Sequence, residues 1–510
     1  MTTPPVPPSR LSRRQLLGGA VAGIAAPGAT RAAVPAAAAP GDDDPLFMSA
    51  TRLAALIRAR QLSAREVVRL HIARLEAVNP RLNALGATCF ERALQEAAAA
   101  DAALARGARC GPLHGVPMTI KDSFDTEGVI STAGTLGRRG FVPKRDATVV
   151  ARARAAGAIL LGKSNTPEFT LGGGWKGTDN LVYGLTRNPY DTDYQPGASS
   201  GGAAAIVAAG GASFDIGSDF GGSLRGPANA CGLAALKPTH GRVPRSGHII
   251  GYGGPYDSFQ GIGPIARRVE DLALLLPIIA GPDHQDAAIE PVPLGDPAAV
   301  ELSRLRVAWF ASNGLNAPTP ENQALVRQAA AWFRELGCRV VEDLPPKMAA
   351  LSAARFAYAG APGSDPMRRL LAASGTTQAS PGLYLGGEEA PVAELTRAAE
   401  ALDAIRSEQL AWIERYDLIL CPAGTRAALP IDLERLPPPP PGPRVAGISY
   451  LGVFNNNGWP AGVVRTGTSS LDPGLPLGIQ VVGQPWRDEL VLAAMAHIER
   501  RAGGYRRPPL

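Results

Sequence analysis

The run from Gly197 to Thr239, GASSGGAAAIVAAGGASFDIGSDFGGSLRGPANACGLAALKPT, limits more than any other feature what this chain can fold into. Glycine, alanine and serine dominate it, so backbone segments there can approach one another closely and leave N–H groups uncovered by side chains. Such composition by itself indicates loops and tight helix packing. Here the run also carries Ser199, Ser200 and Ser223, and the segment GVPMTIKD from Gly115 to Asp122 supplies Lys121 upstream. Two serines and a lysine among open N–H groups are enough to cleave an acyl bond without histidine or metal.

The pattern along the chain predicts alternating helices and strands. Ser63-Ala64-Arg65-Glu66 reads as a capping box opening a helix with Val68, Ile72 and Leu75 on one face and Pro80 beyond its end. Val116, Met118 and Ile120 alternate with Pro117, Thr119 and Lys121, so a short strand should deliver Lys121 at or near its end. Asp146 to Ala156 reads as a helix stopped by Gly157, and Ala158 to Leu161 as a buried strand. Further strands are expected at Leu305 to Phe310, Arg339 to Glu342, Asp417 to Leu420 and Leu475 to Val482. Helices should run from Pro320 to Leu336, with Thr319 as N-cap, and from about Asp488. This alternation implies an α/β fold, a sheet with helices on both faces. The Pro437 to Pro443 run reads as a surface polyproline excursion within one large domain, residues 41–510.

Residues 1–40 stand apart. Ser12-Arg13-Arg14-Gln15-Leu16-Leu17 resembles a twin-arginine export motif, and a Gly/Ala-rich stretch with small residues suited to cleavage follows it. The expected location is periplasmic or secreted. This leader holds four arginines and no acid, so the net charge of +6 becomes +2 without it, and neither nucleic acid nor an anionic membrane surface is implied as a partner. Hydrophobic residues make up 45% of the chain, enough for a substantial core. No stretch approaches the roughly 20 apolar residues of a membrane span. The five cysteines, Cys89, Cys110, Cys231, Cys338 and Cys421, lack CxxC spacing and indicate neither a zinc site nor a disulfide framework.

The Gly197–Thr239 run resembles the amidase signature, and GVPMTIKD, GKSNTPEF and LPLGIQVVGQPW resemble the same family, over nearly the whole chain after the leader. The resemblance implies the amidase signature fold, α/β/α with a central mixed β-sheet covered by helices on both faces. It makes Ser223 the nucleophile, Ser199 a bridging serine after a cis peptide from Ala198, and Lys121 the ultimate base. It places an oxyanion hole at Phe220, Gly221, Gly222 and Ser223, where small residues let N–H groups converge on one oxygen. Ser200 is expected to support the relay by hydrogen bonding, and Asp219 and Arg225 to form an ion pair shaping the loop. Lysine is useful here only as the neutral amine, which at an ordinary value of about 10.4 is about one molecule in a thousand near neutral pH, so burial must lower it.

The resemblance implies no cofactor and no metal. It implies a small-molecule amide as substrate, with carbamate or ester admitted by the same acyl-enzyme route, acting in a monomer or homodimer. The NNNGWPAGVVRTGT…LPLGIQVVGQPWRDE stretch resembles the fatty-acyl and aryl amide branch more than the glutamine-dependent transamidase branch. Substrate choice is expected in the region from about Pro346 to Pro391 and in the Gly251 to Gln260 loop, where Tyr252, Tyr256 and Phe259 could line a pocket or simply pack.

Two motif matches point elsewhere. Gly157 to Ser164 satisfies the phosphate-loop pattern GxxxxGK[ST], but its middle is apolar and strand-like, so Lys163 is expected to be structural. Gly197 to Gly201 satisfies the nucleophile-elbow pattern GxSxG, yet a polar loop, NPYDTDYQP, precedes it where an elbow needs an apolar strand. A Ser-His-Asp esterase would further need a catalytic histidine, for which His240 and His248 are the nearest candidates. The remaining alternative is a non-catalytic exported binding protein on the same fold.

Overall fold

The computed structural model describes residues 44–172, 176–250, 254–436, 445, 449–472 and 474–510, without the side chains of residues 256 and 257. The leader, the polyproline run and Tyr252 lie outside the described residues. Residues Asp42–Leu510 cluster as one unit.

Among the described residues eleven strands form one sheet: β1 (Leu85–Thr88), β2 (Pro117–Lys121), β3 (Ile159–Ser164), β4 (Phe214–Asp219), β5 (Ala234–Lys237), β6 (Gly261–Ala266), β7 (Arg306–Trp309), β8 (Arg339–Glu342), β9 (Leu418–Pro422), β10 (Ala461–Thr468) and β11 (Pro476–Gly483). Their order is β1-β3-β2-β4-β6-β5-β10-β11-β9-β7-β8. The sheet is mixed: β3, β2 and β4 run parallel, as do β9, β7 and β8, while the strands between them pair antiparallel.

The central strands are buried on both faces, so β9 reads as a continuous apolar run, while the edge strands β1 and β8 are partly exposed. Val307, Trp309, Leu418, Leu420, Ile479 and Val481 pack into one core cluster. Their alternating neighbours Ala308, Ile419, Cys421 and Val482 pack into another, against helices Met348–Gly360 and Val392–Ile413. Helices Val269–Ile279 and Asp488–Ala502 contribute Leu272, Leu276, Val491 and Met495 to the first cluster.

The element boundaries moved where tertiary partners intervened. The helix capped by Ser63 runs through Pro80 to Leu82 and ends at Asn83 in the left-handed conformation, whereas Pro80 was expected to lie beyond it. Asp146 does not open the helix expected to begin there, which spans Thr148–Ala155; its carboxylate accepts from Glu127 N–H at 2.8 Å and pairs with Arg154 at 2.7 Å. β3 extends to Ser164 rather than stopping at Leu161, because Lys163 and Ser164 pair with Ile120 and Lys121 of β2. That strand geometry removes the phosphate-loop reading: the Lys163 ammonium is buried and donates to Phe124 O, Thr126 Oγ1 and Ser131 Oγ. None of the five cysteines is paired. Among the described residues no helix is long and apolar enough to cross a membrane.

Candidate active site

The parallel strands β2 and β4 pair in register, Ile120 opposite Ile216, so their carboxyl ends deliver Lys121 and Ser218 to the same edge. Carboxyl ends of parallel strands are where α/β sheets usually hold their sites. The loop ending at Ser200, which leads into helix Gly201–Ala208, crosses this edge with a cis peptide at Ala198-Ser199. It is not an elbow after a strand, so GxSxG here has the wrong context.

Lys121 Nζ lies 2.7 Å from Ser199 Oγ, 3.0 Å from Ser218 Oγ and 3.5 Å from the Ser218 carbonyl oxygen. Lys121 is fully buried and Ser199 nearly so. Ser200 donates its backbone N–H to the Ser223 carbonyl at 3.1 Å and its hydroxyl to the Ser218 carbonyl at 3.4 Å. This backbone tie sets the Ser223 segment beside the bridging loop. The Ser199 and Ser223 hydroxyls themselves share no hydrogen bond, and Ser223 is half-buried. Close packing here requires glycine: a Cβ on Gly217 would stand 2.7 Å from Ser200 Oγ, and Gly222 has φ +118° with Leu451 Cβ 2.8 Å from where its own Cβ would be.

The expected ion pair is present and organises the turn. Arg225 Nε and Nη2 donate to Asp219 at 3.0 and 2.9 Å, and both side chains are wholly buried. The remaining Arg225 donors reach Gln480 Oε1 at 2.6 Å, the Leu451 carbonyl at 2.9 Å and Asn455 Oδ1 at 2.5 Å. Asp219 in turn accepts from Gly222 N–H at 2.8 Å and Leu224 N–H at 3.1 Å. Gly222, expected to aim its N–H at an oxyanion, instead gives that N–H to Asp219. The N–H groups of Gly221 and Ser223 have no acceptor among the described residues.

Burial sets the charges. Desolvation lowers the Lys121 amine from 10.5 to about 7, against the opposing pull of Asp219 and Asp215. Burial also raises Asp215 to about 6, although Thr119 Oγ1 donates to it at 2.6 Å. Asp219 shows the reverse balance: desolvation pushes it up, but Arg225 and Asn455 hold it well below the carboxylate range. Desolvation, with Lys121 and Arg245 nearby, drives His248 well below its ordinary value, so its ring is neutral.

His248 is in the site, but not where a triad needs it. Its Nε2 lies 3.0 Å from Ser218 Oγ and its Nδ1 has no partner among the described residues, so none of their carboxylates orients it towards Ser223. Among the pocket candidates, Phe259 is buried and meets Phe220 edge-on at 6.1 Å and Tyr358 at 6.2 Å, backing the wall beside the Ser223 turn. The Arg355 guanidinium stands 4.4 Å from the Phe220 ring centre. Tyr256 belongs to the turn Gly254–Phe259, and its side chain is outside the described residues. Sequence reading missed Ser218, Asp215, Asn455 and Gln480, and weighed His248 only as a triad member. Polar residues interrupting buried strands, Asp215 in SFDIG and Gln480 in LGIQVVG, were the available signal. Among the described residues no group of three or more His, Cys, Asp or Glu could hold a metal ion.

A family model described as Amidase matches residues 66–492, and the chain belongs to the amidase signature family. It is 35% identical over 502 residues to a glutamyl-tRNA(Gln) amidotransferase subunit of Moorella thermoacetica, covering 91% of this chain and 98% of that protein. It is 34% identical over 476 residues to an indoleacetamide hydrolase of Bradyrhizobium diazoefficiens, covering 89% and 86%. The solved structure of 6-aminohexanoate cyclic dimer hydrolase superposes with a TM-score of 0.78 at 29% identity, covering 91% of this chain and 99% of that one. Relatives of transamidase and of hydrolase type thus match almost equally well, and overall identity does not separate the two branches.

Proposed function

We propose that the chain is a serine amidohydrolase working through a Lys121-Ser199-Ser223 relay and an acyl-enzyme. The supporting observation is the 2.7 Å contact between Ser199 Oγ and a fully buried lysine whose amine is half neutral near pH 7. Lys121 takes the Ser199 proton, Ser199 takes the Ser223 proton, and Ser223 Oγ forms a bond to the substrate carbonyl carbon. The developing oxyanion meets the N–H groups of Gly221 and Ser223. The proton then returns from Lys121 through Ser199 to the amide nitrogen, the C–N bond breaks, and the amine leaves. Water attacks the acyl-enzyme by the same route, and the C–O bond to Ser223 breaks to release the acid. The missing Ser199–Ser223 hydrogen bond is consistent with catalytic contacts that tighten only on substrate binding.

The indoleacetamide hydrolase and 6-aminohexanoate cyclic dimer hydrolase relatives favour small amides as substrates, and the same acyl-enzyme would accept carbamates and esters. The twin-arginine-type leader supports an exported protein. A fluorophosphonate probe tests the reading against that of a non-catalytic binding protein. Labelling of the wild type but not of Ser223→Ala is expected; equal silence from both, or equal labelling of both, overturns it.

A further inference from the structure

We infer that His248 is a positioning residue whose Nε2 accepts the Ser218 O–H and thereby keeps the Lys121 lone pair on Ser199. The inference rests on the lysine-serine reading above. Hydrogen-bond counting around Lys121 carries it. As an ammonium, Lys121 has three N–H donors, and three acceptors surround it: Ser199 Oγ at 2.7 Å, Ser218 Oγ at 3.0 Å and the Ser218 carbonyl at 3.5 Å. Ser218 Oγ serves as acceptor only if its own proton points away. The acceptor available on its other side is His248 Nε2, at 3.0 Å.

The neutral amine makes the same demand more sharply. It has one lone pair and two N–H groups, and catalysis requires that lone pair to face the Ser199 proton. With Ser218 accepting one N–H and its carbonyl the other, the lone pair is left for Ser199. Were Nε2 of His248 a donor instead, the Ser218 O–H would turn towards Lys121 and compete with Ser199 for the lone pair. His248 is suited to the acceptor role because it is neutral and held in place. Its backbone bridges Phe124, its ring stands edge-on to the Phe124 ring at 4.9 Å, and its N–H donates to the Arg245 carbonyl at 2.9 Å. The charged groups facing this chain of contacts are Lys121 and Arg245 on His248, and Asp215 and Asp219 on Lys121.

The measurable consequence is on the base rather than on binding. The second-order rate of fluorophosphonate labelling, followed against pH, reads Ser223 activation without needing the natural substrate or a proton for a leaving amine. His248→Leu should label about tenfold more slowly, the scale of one well-placed hydrogen bond. Its acid limb should move to lower pH, because Ser218 becomes a poorer acceptor for the ammonium. His248→Gln, whose amide oxygen can accept, should recover part of the rate. In a Ser218→Ala background, His248→Leu should change the rate little further, since the two act through one contact. Equal losses from His248→Leu with and without Ser218, or wild-type rates and pH profiles in both single variants, overturn the inference. Full labelling of Lys121→Ala would instead sink the underlying relay, so the two failures are distinguishable.

Discussion

Replacing Lys121 by methionine should shift the protein's stability by an amount that depends on pH in one direction only. The amine falls from 10.5 to about 7 on burial, a difference worth about 5 kcal/mol. Because the folded-state value lies below the unfolded one, the unfolded chain holds an extra proton between pH 7 and 10.5. Wild-type stability therefore rises with pH through that window, by about 1.4 kcal/mol per pH unit, and this contribution is flat below it. Lys121→Met lacks that dependence. Its stability relative to the wild type should rise as pH falls from 10.5 to 7 and then level off. The absolute gap is smaller than the full term, since methionine leaves the Ser199 and Ser218 hydroxyls without the amine, at about 1–3 kcal/mol for each group left unsatisfied. That loss does not depend on pH, so the slope is the readout. Lys163 and Lys237, lowered by burial to about 8 and about 7, add slopes of the same sign to both proteins and cancel in the difference. Urea denaturation followed by tryptophan fluorescence across the window measures it. A stability gap equal at both ends of the window would refute the claim that burial neutralises this lysine.

Further outcomes follow from the same geometry. Lys121→Ala should slow hydrolysis of a 4-nitroanilide more than that of a 4-nitrophenyl ester, because a nitrogen leaving group needs the returned proton; equal losses on both would count against the relay. Asp219→Asn should destabilise the fold by about 3–5 kcal/mol in denaturant melts, because it leaves the buried Arg225 guanidinium without a counter-charge; an unchanged midpoint would show that Asn455, Gln480 and Leu451 suffice to hold it. Replacing Arg13 and Arg14 together by lysine should abolish export, read by fractionating cells that express the full chain; undiminished export would rule out the twin-arginine route.

The parts of this protein that were legible in its sequence are those encoded by neighbours. Strand β2 could be read because Met118 and Ile120 alternate with Lys121 at the end, and the Thr319 cap because its side chain accepts from Asn322 N–H within the same turn. Lys121, Ser199 and Ser223 stood out because each sits in a short motif whose glycines and small residues have a local reason to be there. What was hidden depends on contacts between distant segments. Gly222 looked available to an oxyanion, and only the fold shows Asp219 folding back onto its N–H. Arg225 looked paired with Asp219 alone, but Asn455 and Gln480, more than 200 residues away, complete its shell.

His248 illustrates the limit most clearly, because sequence reasoning weighed it for the wrong job. A histidine near a nucleophilic serine invites a triad, and composition alone gives no way to choose between Ser223 and Ser218 as its partner. The choice is made by the sheet: β4 brings Ser218 to the edge beside Lys121, and the Phe124 bridge brings His248 to the same place. The histidine consequently meets the hydroxyl that faces the base instead of the hydroxyl expected to attack. Its desolvated ring cannot hold a second proton near neutral pH, which suits an acceptor and disqualifies a general acid. A lysine-based site thus gains from a neutral histidine something other than acid-base chemistry: a fixed direction for one serine proton, and through it a free lone pair on the amine.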